Sequence, residues 1–92
     1  MPVLLVADIP GGTAEQDDAI VKALGLADDP PKGALMRVAG PSDAGWRIVS
    51  LWDTREDFEA FRETRLNPAL EQQGRPSPTL DFWPIETVIV YP

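Results

Sequence analysis

The strand-forming segments of this chain are apolar on both sides, which restricts what it can fold into. Side chains alternate between the two faces of a β-strand, so a sheet with one face in water alternates apolar and polar residues. Here Val3-Leu4-Leu5-Val6-Ala7 is apolar at both parities, Ile48-Val49 and Leu51-Trp52 are adjacent apolar pairs, and Val88-Ile89-Val90-Tyr91 repeats the pattern. Both faces of a sheet built from these segments require burial. With 92 residues the chain makes one domain, 1–92, and has little to cover a second face with. A domain of this size buries only roughly 60–65% of the surface its unfolded chain exposes. Four strands of about six residues present roughly 380 Å² per face, and leaving one such face wet forgoes on the order of 9 kcal/mol, as much as a small domain's whole stability. A second copy meeting the first sheet to sheet removes that loss, so a homodimer through the sheet face is expected.

Six elements follow in the order β-α-β-β-α-β. The first strand is expected over 3–9, closed by Pro10-Gly11-Gly12. Thr13-Ala14-Glu15-Gln16 is a capping box, Ile20, Val21, Ala23 and Leu24 form a helical stripe, and Gly25 suits a left-handed C-cap, which predicts a helix over about 14–24. Strands over 34–39 and 46–52 are joined by Gly40-Pro41-Ser42-Asp43-Ala44-Gly45, short enough for a hairpin. Asp53 or Thr54 caps the second helix, with Phe58 and Phe61 inward. Pro68 would clash inside a continuous helix, so Asn67-Pro68 is read as the start of a short separate segment ending at Gly74. Arg75-Pro76-Ser77-Pro78 is read as a linker into a last strand over 80–91, where Pro84 marks an edge or a bulge.

Composition removes whole classes of function. Neither cysteine nor histidine occurs, which leaves no thiolate nucleophile, no Ser-His-Asp triad, no disulfide and no ordinary zinc or haem ligand set; neither metal nor cofactor is expected. A net charge of −7 with scattered basic residues argues against nucleic acid. The N-terminus lacks the basic region of a signal peptide, and no apolar run approaches the ~20 residues of a membrane span, so a cytoplasmic protein is expected.

The element order, together with Gly45-Trp46-Arg47-Ile48-Val49-Ser50-Leu51-Trp52-Asp53-Thr54 and the following Phe58 and Phe61, resembles the dimeric α+β barrel proteins, and within them the antibiotic-biosynthesis-monooxygenase-like group. The resemblance implies a ferredoxin-like βαββαβ monomer, with a four-stranded antiparallel sheet, two helices on one face, and a pocket between sheet and helices. It also implies a small-molecule enzyme of the cofactor-independent monooxygenase or cyclase type, acting on an aromatic or polyketide-like substrate. The alternative is a non-catalytic dimeric binding or structural module of the same fold. Of the polar constellation of the oxygenase branch, the tryptophan matches Trp52, while Ile48 stands at the amide position and Phe58 at the tyrosine position. The haem-degrading branch places a tryptophan and a histidine near Phe61 and Glu71, and this chain has no histidine.

Trp46, Ile48, Ser50 and Trp52 share one strand face and are expected to line the pocket for a flat hydrophobic or aromatic ligand, with Ser50 as a polar contact; the tryptophans also suit an ordinary core. Phe58 and Phe61 sit at core spacing and close the same wall. Asp8 is read either as a pocket carboxylate serving as general base or as the point where its strand meets solvent. Arg37 is read as an anion-binding group or as the ion-pair partner of Asp8 or Glu86. Arg47 has the opposite parity to Trp52 and is expected at the dimer partner or the rim. Trp83-Pro84 reads as a rim feature that closes the partner's pocket. The expected catalytic set is Asp8, Ser50 and Arg37.

Overall fold

Each expected strand and helix start is present in the computed structural model, which describes residues 1–75 and 78–92; Pro76 and Ser77, the middle of the expected linker, lie outside the described residues. The elements are β1 (Val3–Pro10), α1 (Ala14–Leu24), β2 (Ala34–Ser42), β3 (Gly45–Trp52), α2 (Arg55–Phe61), a π-helical turn (Arg62–Leu66), α3 (Asn67–Gln72) and β4 (Thr79–Pro84). The strands form an antiparallel sheet in the order β2-β3-β1-β4, the ferredoxin-like arrangement.

Local chemistry explains the boundaries. The Thr13 hydroxyl accepts from the Gln16 N–H at 3.1 Å, and Gly25 ends α1 with φ 63°. Thr54, not Asp53, caps α2 by accepting from the Asp57 N–H at 3.1 Å.

Two expectations are corrected. Asn67-Pro68 opens α3 as expected, but with no break from α2, because the rod continues through the π turn, where the Asn67 N–H reaches the Arg62 carbonyl five residues back. The extra residue in that turn absorbs the mismatch that a proline creates in an α-helix. The last strand stops at Pro84 instead of running to residue 91. In the β1–β4 register Val3 faces Pro84, and the Ile85 N–H makes one further bond to the Pro2 carbonyl at 2.8 Å. Beyond that the tail outruns the start of β1 and has nothing to pair with, which leaves Ile89, Val90 and Tyr91 exposed.

The register sorts the side chains. Val3 opposes Trp52, Leu5 opposes Ser50 and Phe82, and Ala7 opposes Ile48 and Leu80, all on the helix side. There Trp52 meets Phe58 edge-on with ring centroids 5.3 Å apart and Phe61 at 5.5 Å, and with Val3 and Leu5 these rings form the core. The outer face carries Leu4, Val6 and Asp8 of β1, Arg47, Val49 and Leu51 of β3, Met36 and Val38 of β2, and Trp83 of β4. Met36, Val38 and Trp83 are about half exposed.

The β2–β3 hairpin depends on Gly45, whose φ of 151° is unfavourable for other residues and whose missing side chain admits the Gly11-Gly12 turn. A Cβ there would lie 2.6 Å from the Ile9 carbonyl oxygen and 2.7 Å from the Gly12 nitrogen. Gly45→Ala is expected to cost about 2–3 kcal/mol, seen in thermal unfolding as a fall in Tm of ~10 °C or more.

Candidate functional site

Between the inner face of the sheet and the helices lies a cavity of about 430 Å³. It exists because α1 lies against α3 and touches the strands only sparsely, so the middle of the sheet is not filled from above. Trp46, Ile48 and Trp52 of β3, Phe58 and Phe61 of α2, and Ile20 and Leu24 of α1 are part of its apolar wall. The rings of Trp52, Phe58 and Phe61 thus belong to the core on one side and to the cavity on the other.

A polar band crosses this wall in mid-sheet. Arg37 of β2 is the cross-strand neighbour of Ser50 of β3, and both line the cavity. Ser50 is buried, and its Oγ accepts the Trp52 Nε1–H at 2.9 Å. With that acceptor position used, the hydroxyl proton stays available for another partner. The Arg37 side chain spans the cavity to α1, where Nη2 and Nη1 donate to Asp17 Oδ1 and Oδ2 at 2.5 and 3.2 Å. The Asp17 side chain is only 12% exposed and that of Arg37 29%, so this forked pair is shielded from water far more than an ordinary surface bridge. Arg75 also lines the cavity and donates from Nη1 to the Gln16 carbonyl at 2.9 Å. Trp46 Nε1 is buried and has no hydrogen-bond partner among the described residues.

The expected residues therefore divide. Ser50, Arg37, Trp46, Ile48, Trp52, Phe58 and Phe61 are brought together around one cavity. Asp8 is not with them. It has the parity of Leu4 and Val6, projects from the outer face, and accepts from Arg47 Nε at 2.6 Å. That hydrogen bond, then the charge of Asp8, hold the Arg47 guanidinium above the ordinary arginine pKa. Asp8 thus stands across the sheet from the cavity and is no base for a ligand inside it. Arg37 pairs with Asp17 instead of Asp8 or Glu86, because inward and outward side chains of one sheet cannot meet; Glu86 is exposed beyond the end of β4. Trp83 lies on the outer face and does not line the cavity of its own chain. Arg47, as its parity required, is outward as well.

Asp17 is the site residue that the sequence reading passed over. A signal was present: Asp17, Ile20 and Leu24 follow the i, i+3, i+7 spacing of one helix face, which places a carboxylate on the apolar stripe. An arginine in mid-strand on the same side then requires a counter-charge of this kind. Among the described residues, no group of three or more His, Cys, Asp or Glu side chains is arranged to hold a metal ion, and no helix is long and apolar enough to cross a membrane.

No protein-family model matches the sequence, and neither does any curated protein. Solved structures do match. A provisionally assigned antibiotic biosynthesis monooxygenase of Chloroflexus aurantiacus J-10-fl superposes with a TM-score of 0.64 at 19% identity, over 99% of this chain and 100% of its own. Another protein with the same provisional assignment, from Deinococcus radiodurans, gives 0.61 at 13% identity over 99% and 98%. A structural-genomics protein called YJCS gives 0.64 at 12% over 94% and 100%. The chain has the ferredoxin-like α+β fold of these structures, across nearly its whole length.

Because the Ser50 hydroxyl is the acceptor for a buried indole N–H, Ser50→Ala leaves Trp52 Nε1 unpaired. Chemical denaturation is expected to show a loss of about 1–2 kcal/mol, with little change in the cooperativity of unfolding.

Proposed function

We propose that the protein is a homodimeric small-molecule enzyme, whose cavity binds a flat, largely apolar aromatic or polyketide-like molecule and lets its deprotonated form react directly with dioxygen. The observation that carries this reading is the polar band of Arg37 and Ser50 set into a largely apolar, ring-lined cavity of about 430 Å³. A volume of that order suits a molecule of a few fused rings. The provisional names of two structures with the same fold point in the same direction.

In this reading Trp46, Trp52, Phe58 and Phe61 grip the rings, while Arg37 and Ser50 hold a phenol or enol oxygen. Loss of the O–H proton makes the adjoining carbon framework electron-rich enough to reduce dioxygen without a metal or flavin. For a methylene between two rings, the balance is R₂CH₂ plus O₂ giving R₂C=O plus water: one oxygen atom stays on carbon and the other leaves as water. The enzyme's contribution is positioning, exclusion of bulk water, and stabilisation of the oxyanion by Arg37 and Ser50.

The assembly belongs to the same proposal. Leu4, Val6 and Val49, flanked by the half-exposed Met36, Val38 and Trp83, form an outer face that a second copy would cover. Sedimentation of the wild type is expected to give twice the 10.1 kDa chain mass at micromolar concentration. Val38→Glu, at a side chain half exposed in the single chain, is expected to weaken dimerisation on the order of 100-fold by burying an unpaired charge, with the circular dichroism of the fold retained.

The catalytic reading is tested by incubating the protein with anthrone-like phenols under oxygen, while product absorbance and oxygen uptake are followed together. Equal amounts of oxygen consumed and ketone formed are expected, with Arg37→Met slower by about 10²-fold. Binding without oxygen uptake would leave a non-catalytic binding module instead.

A further inference from the structure

We propose that Asp17 is the proton acceptor of the cavity, and that Arg37 exchanges Asp17 for the ligand's oxyanion as the proton moves. This rests on a phenol or enol binding in the cavity as proposed above, but not on the later reaction with dioxygen.

Asp17 is the one carboxylate among the described residues that line the cavity. The chain has no histidine and no cysteine, its single tyrosine is exposed in the tail, and Asp8 and Glu86 lie away from the cavity. Within reach of a ligand seated on the Arg37–Ser50 band, the remaining oxygen groups are hydroxyls and amides, which are poor bases at neutral pH. Asp17 also has the right companion. Its two oxygens accept from the two Nη groups of Arg37, whose Cα is paired across the sheet with that of Ser50. Each carboxylate oxygen keeps a lone pair beyond the one used by the guanidinium.

The exchange is balanced in atoms and charge. The ligand's O–H bond breaks, an O–H bond forms on Asp17, and the negative charge passes from the carboxylate to the ligand oxygen. Arg37 stays protonated throughout, as a guanidinium does in proteins, and turns from one anion to the other. The number of charges in the cavity is the same before and after, so no new ion has to be stripped of water in a weakly polar space. In the resting protein the Arg37–Asp17 pair thus holds in place the charge that the ligand later carries. Ser50 assists because the Trp52 N–H occupies its acceptor side, leaving its own proton for the oxyanion.

The test uses para-nitrophenol, whose phenol and phenolate forms absorb differently, added to the intact protein at a pH below the solution pKa of the phenol. With wild type, the bound molecule is expected to show the phenolate band while an indicator dye in weak buffer registers no proton release, since Asp17 retains the proton. Asp17→Asn is expected either to bind the phenol form or to release one proton to solution per phenolate formed. Asp18→Asn, at the neighbouring exposed acid paired with Lys22, is expected to match wild type. A phenol band in the bound wild type, or proton release equal to the phenolate formed, would overturn the role of Asp17 while leaving ligand binding intact. The wild-type measurement decides this even if Asp17→Asn fails to fold. Absence of any binding would overturn the ligand reading itself, and this one with it.

Discussion

The pairing register of β3 with its two neighbours governs everything else in this molecule. Successive strand side chains point to opposite faces, so the alignment of Val3 with Trp52 and of Arg37 with Ser50 decides at once which residues meet the helices. A slip of one residue would turn Trp46, Ile48, Ser50 and Trp52 outward and bring Arg47, Val49 and Leu51 inward. The aromatic cluster favours that choice, because a slip would turn the Trp52 ring away from Phe58 and Phe61, which it meets at 5.3 and 5.5 Å.

The two charged pairs next to the sheet illustrate the consequence. Asp8 and Arg47 face each other on the outer side, where the Arg47 side chain is 54% exposed and solvent screening weakens the pair. Arg37 and Asp17 meet on the inner side, where water is largely excluded and the forked geometry is held between a strand and a helix. Equivalent chemistry on opposite faces therefore has different standing: the outer pair borders an apolar surface suited to association, and the inner pair borders the cavity. The cavity itself reflects an uneven core, dense where α2 brings Phe58 and Phe61 onto Trp52 and open where α1 stands off the strands.

Much of this was legible along the chain. The Thr13 cap, the Gly25 stop, the hairpin closed by Gly45 and the placing of both β3 tryptophans on one face are local features, set by capping, turn chemistry and period-two alternation. The misreadings were not local. The unbroken join of α2 to α3 depended on a π turn that caps and short-range periodicity do not signal. The early end of β4 depended on where β1 begins, since β-rich residues such as Val88, Ile89 and Val90 form a strand only beside a partner.

The sequence by itself determined the order and kind of elements, the excess of apolar strand surface, and the absence of thiol and imidazole side chains, because these follow from residue type and short-range periodicity. Only the tertiary structure decided which carboxylate faces the cavity. Asp8 and Asp17 are the same residue type and both end up beside arginines. What separates them is the face on which each lies, one fixed by strand parity and register, the other by the rotation of α1 about its axis, and both are set by contacts between segments far apart in the chain.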